Sequence, residues 1–286
     1  MKEILEKYYL IKVDDFKILE DSMVFDVAGV NYLLIKTGYD EKYLKMLVDL
    51  QAELKSRKNM LHDFVLNKDG LLLSNGFVLL KVNCLIDEIC IEDIKGFALP
   101  VSDNIKKEYL RMENFWENKI DYLEVQLSEL SNNILINNSF DYYVGIAEIL
   151  ISFLKKQNDG KELNLVLSHK IFKSKSTIDF YNPLYATCDL YLRDIAYYIR
   201  ISNDWDLLYN ILDNYKFSNY EYAYFFVRMV FPFEYFSNLE DILIDKKTED
   251  KLLDIINNNK NYEKYLLKMQ EIFGIWVFSW LRERDL

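Results

Sequence analysis

The chain has 286 residues, 51% of them hydrophobic, and a formal net charge of -11 at pH 7. A chain of this length and apolar content can bury a substantial core. The negative charge argues against nucleic acids and anionic membrane surfaces as partners, because both would repel the protein. Only 8 Gly and 3 Pro are present, which argues against disorder and against a β-sandwich with many tight turns.

The cysteines and histidines form no pattern typical of disulfides or metals. Cys84, Cys90 and Cys188 are an odd and sparse set, and the two histidines, His62 and His169, lie far apart. We therefore expect free thiols in a reducing compartment and no structural metal site. The N-terminus lacks the features of a signal peptide, and the apolar stretches are shorter than a membrane span. These features predict a soluble, cytoplasmic protein.

The first eighty residues alternate short apolar segments with turn signals. A short helix is predicted over 2–9, followed by three antiparallel strands in FKIL, SMVFDVAG and VNYLLIK. The periodicity of residues 40–60 predicts a helix. The stretch HDFVLNKDGLLLSNGFVLLKVN predicts two more strands, with turns at 68–70 and 74–76. The predicted order is therefore βββ-α-ββ.

The pattern changes to helices beyond Asn83. Helices are predicted at 105–130, 141–156, 189–201, 204–212, 219–231, 248–257 and 262–281. The apolar run LNLVL predicts a short buried strand, and the segment 176–180 interrupts the helices again. A β-rich N-terminal lobe (residues 1–83) and a large, mainly helical C-terminal lobe (residues 84–286) together predict the α+β class.

The order of these elements and several local strings resemble the aminoglycoside-phosphotransferase and choline-kinase-like fold. The strings are NYLLIK, GFVLLKVN, FWENKIDYLE, DYYVGIAEILISFL, LYLRDIAYYIR and YFFVRMVFPFEYF, in this order. Within that fold, the chain resembles the CotS-like and YutH-like spore-coat-associated proteins. The resemblance implies a two-lobed kinase-like architecture with a relic nucleotide cleft. In that cleft, Lys36 at the end of the third strand is the nucleotide-binding lysine and Asp179 is the metal-binding carboxylate.

The loop after LNLVL departs from the family pattern at the residues that carry the chemistry. The family loop is His-Gly-Asp, with an Asn five residues after the Asp, and the Asp accepts the proton of the attacking hydroxyl. Here the frame reads His169, Lys170 and Ile171, with Ser176 at the Asn position. Ile171 can neither take a proton nor bind a metal, and Ser176 is a poorer metal ligand than Asn. We therefore predict no catalytic residue in this degenerate loop.

The candidate site residues also have structural interpretations. Lys36 could be a solvated lysine at a strand end. Asp179 could cap a turn toward 182–183, because the loop that separates it from His169 is shorter than in active relatives. His169 is expected to bond to the backbone near the Asp179 segment. The adjacent Arg193 and Asp194 are expected to form a buried pair that braces the loop.

One main hypothesis and one alternative follow. The main hypothesis is a catalytically inactive kinase-like protein, a pseudokinase, that needs no cofactor and acts as a scaffold in spore-coat assembly. Its partners would be proteins, and by the resemblance spore-coat proteins. The alternative is an active or nucleotide-binding small-molecule phosphotransferase that uses ATP and Mg. The tyrosine-rich clusters YEYAYFF and FPFEYF are candidates either for core or for an exposed patch that binds a partner.

Overall fold

The computed structural model describes residues 1–19, 22–55, 61–84, 88–101, 106, 109–130, 134–170, 175–245 and 249–283. Within these ranges, close contacts group the chain into two units. One comprises Met1–Lys107 with Asn164–Ile201, and the other comprises Glu108–Leu163 with Ser202–Leu286. The lobe boundary predicted between residues 83 and 84 stays a prediction.

The N-terminal strands form one antiparallel sheet, as predicted. They are β1 (Phe16–Leu19), β2 (Ser22–Val27), β3 (Val30–Lys36), β4 (Asp63–Val65), β5 (Leu73–Ser74) and β6 (Phe77–Lys81). Their order across the sheet is β1-β2-β3-β6-β4, and β5 pairs with β6. β5 is a strand that the sequence did not predict. It forms because Asn75 and Gly76, both at positive φ, fold Leu73–Ser74 back onto β6 as a tight hairpin.

One face of this sheet is covered by the N-terminal segment. The predicted helix begins as α1 (Lys2–Ile4) and continues as a π-helical segment, Leu5–Tyr9. The buried cluster between this segment and the sheet consists of Leu5, Val13, Met23, Phe25, Leu34 and Leu79. Side chains alternate between the two faces of a strand, so Leu33 and Ile35 of β3 lie on the opposite face. No described residue of α2 (Glu41–Lys55) belongs to this cluster.

The first unit also contains a two-stranded sheet. The predicted strand is β7 (Leu165–His169), and it pairs with β8 (Ala186–Leu190) in antiparallel register, from Leu165↔Leu190 to His169↔Ala186. The helix predicted over 189–201 starts later than predicted. The chain is still extended in β8 at Leu190, and the helix begins only at Leu192. Elements around this sheet are α3 (Ile91–Phe97), α6 (Thr177–Phe180), a 3-10 turn at Pro183–Tyr185 and α7 (Leu192–Ser202).

The second unit is helical. Its helices are α4 (Met112–Leu130), α5 (Ile134–Lys156), α8 (Trp205–Asn214), α9 (Asn219–Val230), α10 (Phe233–Asp245), α11 (Asp250–Asn257) and α12 (Asn259–Phe273), with a 3-10 segment at Ser279–Glu283. The sequence did not predict α10, which begins directly after Pro232. The helix predicted over 262–281 ends early, because Gly274 adopts a left-handed conformation with φ 64° that terminates helices.

The aromatic clusters of this unit form its core. Every residue from Ala223 to Val230 on α9 is buried. The Trp116 ring lies 4.6 Å from Phe231, 5.4 Å from Phe233 and 5.6 Å from Phe236, measured between ring centres. Both YEYAYFF and FPFEYF therefore contribute mainly to packing. Among the helices of the described residues, none is long and apolar enough to cross a membrane.

Candidate functional site

His169, the last residue of β7, is held at both ring nitrogens. Nδ1 lies 2.7 Å from Oδ2 of Asp194, and Nε2 lies 2.6 Å from the carbonyl oxygen of Phe180. Both neighbours are acceptors, so a ring that carries two protons donates at both positions. The imidazole is also stacked 4.2 Å from Phe97 and 4.4 Å from Phe180 between ring centres. The bond to Phe180 is the backbone contact that we expected near Asp179.

Asp194, on α7, is the carboxylate that organises this loop. Its Oδ1 accepts hydrogen bonds from the Ser168 hydroxyl at 2.7 Å and from the His169 amide at 3.1 Å. Burial alone would raise the pKa of this carboxyl. The electrostatic interaction with His169 and the hydrogen bonds from His169 and Ser168 hold the pKa of Asp194 below its usual value. The sequence did not predict the pairing with His169, because the two residues are far apart in the chain.

Arg193 also stabilises this loop. Its guanidinium donates to Oδ2 of Asp189 at 2.5 Å and to the carbonyl oxygen of Lys170 at 3.0 Å. We expected Arg193 and Asp194 to form a pair with each other. Instead, Arg193 binds Asp189 and Asp194 binds His169, and both contacts stabilise the loop.

Lys170 stands at the position of the family's glycine, and its side chain is tied to the segment that begins α2. Its Nζ donates to the hydroxyls of Tyr39, at 3.2 Å, and of Tyr43. The same nitrogen lies 4.8 Å and 4.5 Å from the centres of these two rings. Burial, and after it the charge of Arg193, lowers the pKa of Lys170 to about 8. The residue after His169 is thus part of an internal cluster.

Lys36, the predicted nucleotide lysine, ends β3 opposite Phe77 of β6. It is exposed. By the alternation of strand side chains, it lies on the same face as Leu34. Leu34 packs in the cluster with Leu5 of the N-terminal segment. Lys36 therefore lies at the end of β3, on the sheet face that the N-terminal segment covers.

Asp179 lies in the one-turn helix α6. Ser176 caps this helix, since its hydroxyl accepts from the amide of Ile178 at 3.3 Å. The turn into Pro183 is capped by Asn182, whose side chain accepts from the amide of Leu184 at 3.0 Å. The cap that the sequence allows for Asp179 stays a prediction. Ile171 lies outside the described residues.

His62 is a residue to which the sequence assigned no role. Its Nε2 lies 3.1 Å from the carbonyl oxygen of Ile178, and its own amide donates to the carbonyl of Tyr181 at 2.9 Å. Nδ1 accepts from the amide of Asn83 at 3.3 Å, which fits the neutral ring protonated at Nε2. Burial lowers the pKa of His62 to about 4. Both histidines of the chain thus bond to backbone carbonyls beside Asp179.

The described residues fit a magnesium-nucleotide site poorly. In the family pattern, a metal-binding carboxylate occupies the position of Asp179 and an Asn occupies position 176. Here position 176 is a serine, and it caps a helix. The neighbouring carboxylates Asp189 and Asp194 are engaged by Arg193 and His169. Over the ranges described, no group of three or more His, Cys, Asp or Glu residues is arranged to hold a metal ion.

The antiparallel sheet, the β7 loop with its histidine and the helical unit together define a protein of the kinase-like fold. The sequence matches the family described as "spore coat putative kinase YutH" over residues 96–269. Because this match spans more than half of the chain, the protein belongs to that family. The predicted family and the predicted α+β kinase-like fold are both confirmed. No protein of curated function matches the chain.

Solved structures support the same fold. The choline kinase LicA from Streptococcus pneumoniae superposes with a TM-score of 0.59 at 12% identity, covering 93% of this chain and 98% of that one. An aminoglycoside phosphotransferase from Alicyclobacillus acidocaldarius gives 0.52 at 10% identity, with 92% and 93% covered. A spectinomycin phosphotransferase solved with ADP and spectinomycin gives 0.52 at 12% identity, with 96% of each chain covered. At such identities, the likeness shows the fold alone.

Proposed function

We propose that this protein is a kinase-like protein without phosphotransfer activity, which acts in spore-coat assembly by binding other proteins. The observation that carries the proposal is Ile171, two residues after His169. Phosphoryl transfer needs a carboxylate there to position the hydroxyl and accept its proton. An isoleucine side chain has no oxygen for either task. Membership of a spore-coat family supports the place of action.

The contacts of Lys170 support the loss of activity. Its half-buried ammonium group contacts the rings and hydroxyls of Tyr39 and Tyr43. Cation–π contacts of a desolvated ammonium stabilise such a cluster. The loop residue next to His169 therefore has a packing role within the protein, in a fold where active loops have a glycine.

The position of Lys36 also supports the proposal. A lysine that binds nucleotide phosphates has to reach them from the sheet. Here the residue shares its face with Leu34, which packs against the N-terminal segment. A solvated lysine at a strand end accounts for this position without a nucleotide.

The second candidate function is ATP-dependent phosphotransfer to a small molecule. The observation that favours it is the fixed position of Asp179, whose helix is bonded by both His62 and His169. Such bonds would hold a metal-binding carboxylate in place. The family description as a kinase and the phosphotransferase neighbours favour the same function.

Spore-coat composition tests the proposed function. In a spore-forming host, the gene is replaced by versions that encode Lys36→Met or Asp179→Asn, with Lys17→Met on the exposed β1 as the control. We expect the coat proteins of all three strains, measured by quantitative mass spectrometry, to equal the wild type, whereas deletion of the gene depletes some of them. A coat profile of Lys36→Met or Asp179→Asn that equals the deletion, at normal protein level, would contradict the proposal. So would a deletion without effect.

A further inference from the structure

The exposed side of α12 carries a row of lysines. Lys260, Lys264 and Lys268 recur at every fourth residue, and all three are exposed. Residues at this spacing lie on one side of a helix, about 6 Å apart along its axis. Among the described residues, no carboxylate forms an ion pair with any of the three, and Lys268 lies 3.8 Å from the centre of the Trp205 ring. The exposed Glu271 follows the row at the end of the helix.

This row is a local exception to the charge of the protein, which is -11 overall. Like charges four residues apart repel each other and destabilise a helix. Carboxylates that a partner presents at the same spacing would remove this repulsion. The row therefore favours, as its partner, a helix with carboxylates along one side.

A helix of this kind is present in the chain itself. Glu117, Asp121 and Glu124 are exposed on α4, and their intervals of four and three residues place them on one side of the helix. Glu117 forms an ion pair with Lys155, whose Nζ lies 2.5 Å from its Oε1. Asp121 and Glu124 have no ion-pair partner within the ranges that the structure describes. Two of the three carboxylates are therefore available to bind lysines of another molecule.

Apolar side chains border the carboxylates of α4. Phe115, Tyr122 and Val125 are 45%, 47% and 56% exposed, and their intervals of seven and three residues place them together on the neighbouring side of the helix. Exposed ion pairs alone contribute little to binding. A contact that also covers these three side chains would gain from the burial of their apolar surface.

We propose that α12 of one copy of this protein binds α4 of a second copy, with lysines against carboxylates. The two rows have similar lengths, since the lysines extend over about 12 Å of helix and the carboxylates over about 10 Å. Each copy would use α12 toward one neighbour and α4 toward another, so the contact joins copies head to tail. An extended polyanion such as a nucleic acid fits less well, because the net negative charge of the protein repels it. This pairing goes beyond the proposed function and does not depend on the absence of phosphotransfer.

Sedimentation velocity of the full-length protein at physiological ionic strength tests this contact. We expect the weight-average mass to rise above that of the monomer in the high micromolar range. Lys260→Glu with Lys264→Glu reverses the α12 row, and Asp121→Lys with Glu124→Lys reverses the α4 row. Each double variant should weaken self-association by at least about tenfold, because its two faces then carry charges of the same sign.

A control variant separates the lysine row from the net charge of the protein. Lys12→Glu with Lys17→Glu changes the net charge as much as the α12 variant does, at two exposed lysines of the first unit. We expect this control to associate as the wild type does. A control that loses association as strongly as the α12 variant would overturn the proposal.

Mixing the two reversed variants gives the most specific result. In the mixture, the unchanged α4 of one variant meets the unchanged α12 of the other, so we expect association to return. A mixture that stays monomeric, or a wild type that is monomeric throughout, would overturn the pairing. So would an α4 variant that still associates when the α12 variant does not, because the lysines would then bind a different acidic surface.

Discussion

Replacing Asp194 by alanine is expected to lower the free energy of unfolding by about 3–5 kcal/mol. The carboxylate is buried and accepts three hydrogen bonds, from the Ser168 hydroxyl, the His169 amide and the His169 ring. Alanine would leave these buried donors without a partner, and each unpaired group costs free energy. The bond from His169 to Phe180 would lose its support, so the helix that contains Asp179 would be affected as well.

Urea denaturation at pH 7 measures this loss. Asp213→Ala is the matched control, because Asp213 is an exposed carboxylate of α8, and surface substitutions usually change stability by less than about 0.5 kcal/mol. Asp194→Asn should fall between the two, since its amide oxygen can still accept from Ser168 and from the His169 amide. A loss of less than about 1 kcal/mol in Asp194→Ala would mean that Asp194 does not organise the loop.

Acidification from pH 7 to pH 4.5 is expected to destabilise the protein by about 2–3 kcal/mol through His62 alone. Burial lowers the pKa of His62 from 6.5 to about 4. Between these two values, the unfolded chain binds a proton that the folded protein does not. The free energy of unfolding therefore falls as the pH is lowered through this range, and His62 has no effect on it above about pH 7.

Comparing the wild type with His62→Gln separates the contribution of His62 to the pH dependence of the free energy of unfolding from the contribution of the carboxylates. Glutamine can still donate to the carbonyl of Ile178 but does not titrate. We expect the variant to lose less stability than the wild type between pH 7 and pH 4.5. Nuclear magnetic resonance of the histidine ring protons gives a direct reading, with the variant identifying the His62 signal. A His62 signal that titrates near pH 6.5 would contradict the assignment of a neutral, buried ring.

Much of the fold could be predicted from the sequence because the signals were local. Alternation and turn residues located β1, β2 and β3, and the apolar run LNLVL located β7. β8 was missed because its pairing with β7 lies in contacts across the chain, and the strand is followed almost at once by a helical pattern. α10 was missed because Pro232 ends one helix and is followed at once by the next, so no polar loop marks the change.

The candidate site was harder to predict, since its bonds connect residues far apart in the chain. The missing carboxylate at Ile171 could be predicted by comparing the sequence with the loop of the family that it resembles. The partner of His169 could not, because Asp194 follows it by 25 positions. The cluster of Lys170 with Tyr39 and Tyr43 spans more than a hundred residues. The role of His62 depends on the backbone carbonyl of Ile178, which no side-chain pattern reveals.

The central claim is the proposed absence of phosphotransfer, and it is tested through nucleotide binding, which phosphotransfer requires. The measurement is thermal unfolding of the purified protein at millimolar ATP, with and without Mg²⁺. A ligand at about a hundred times its dissociation constant adds about 2.7 kcal/mol to the stability of the fold, which is a readily measured shift. We predict no shift in either condition. A Mg²⁺-dependent rise in the unfolding temperature that disappears in Lys36→Ala or Asp179→Ala would contradict this account and favour the phosphotransferase.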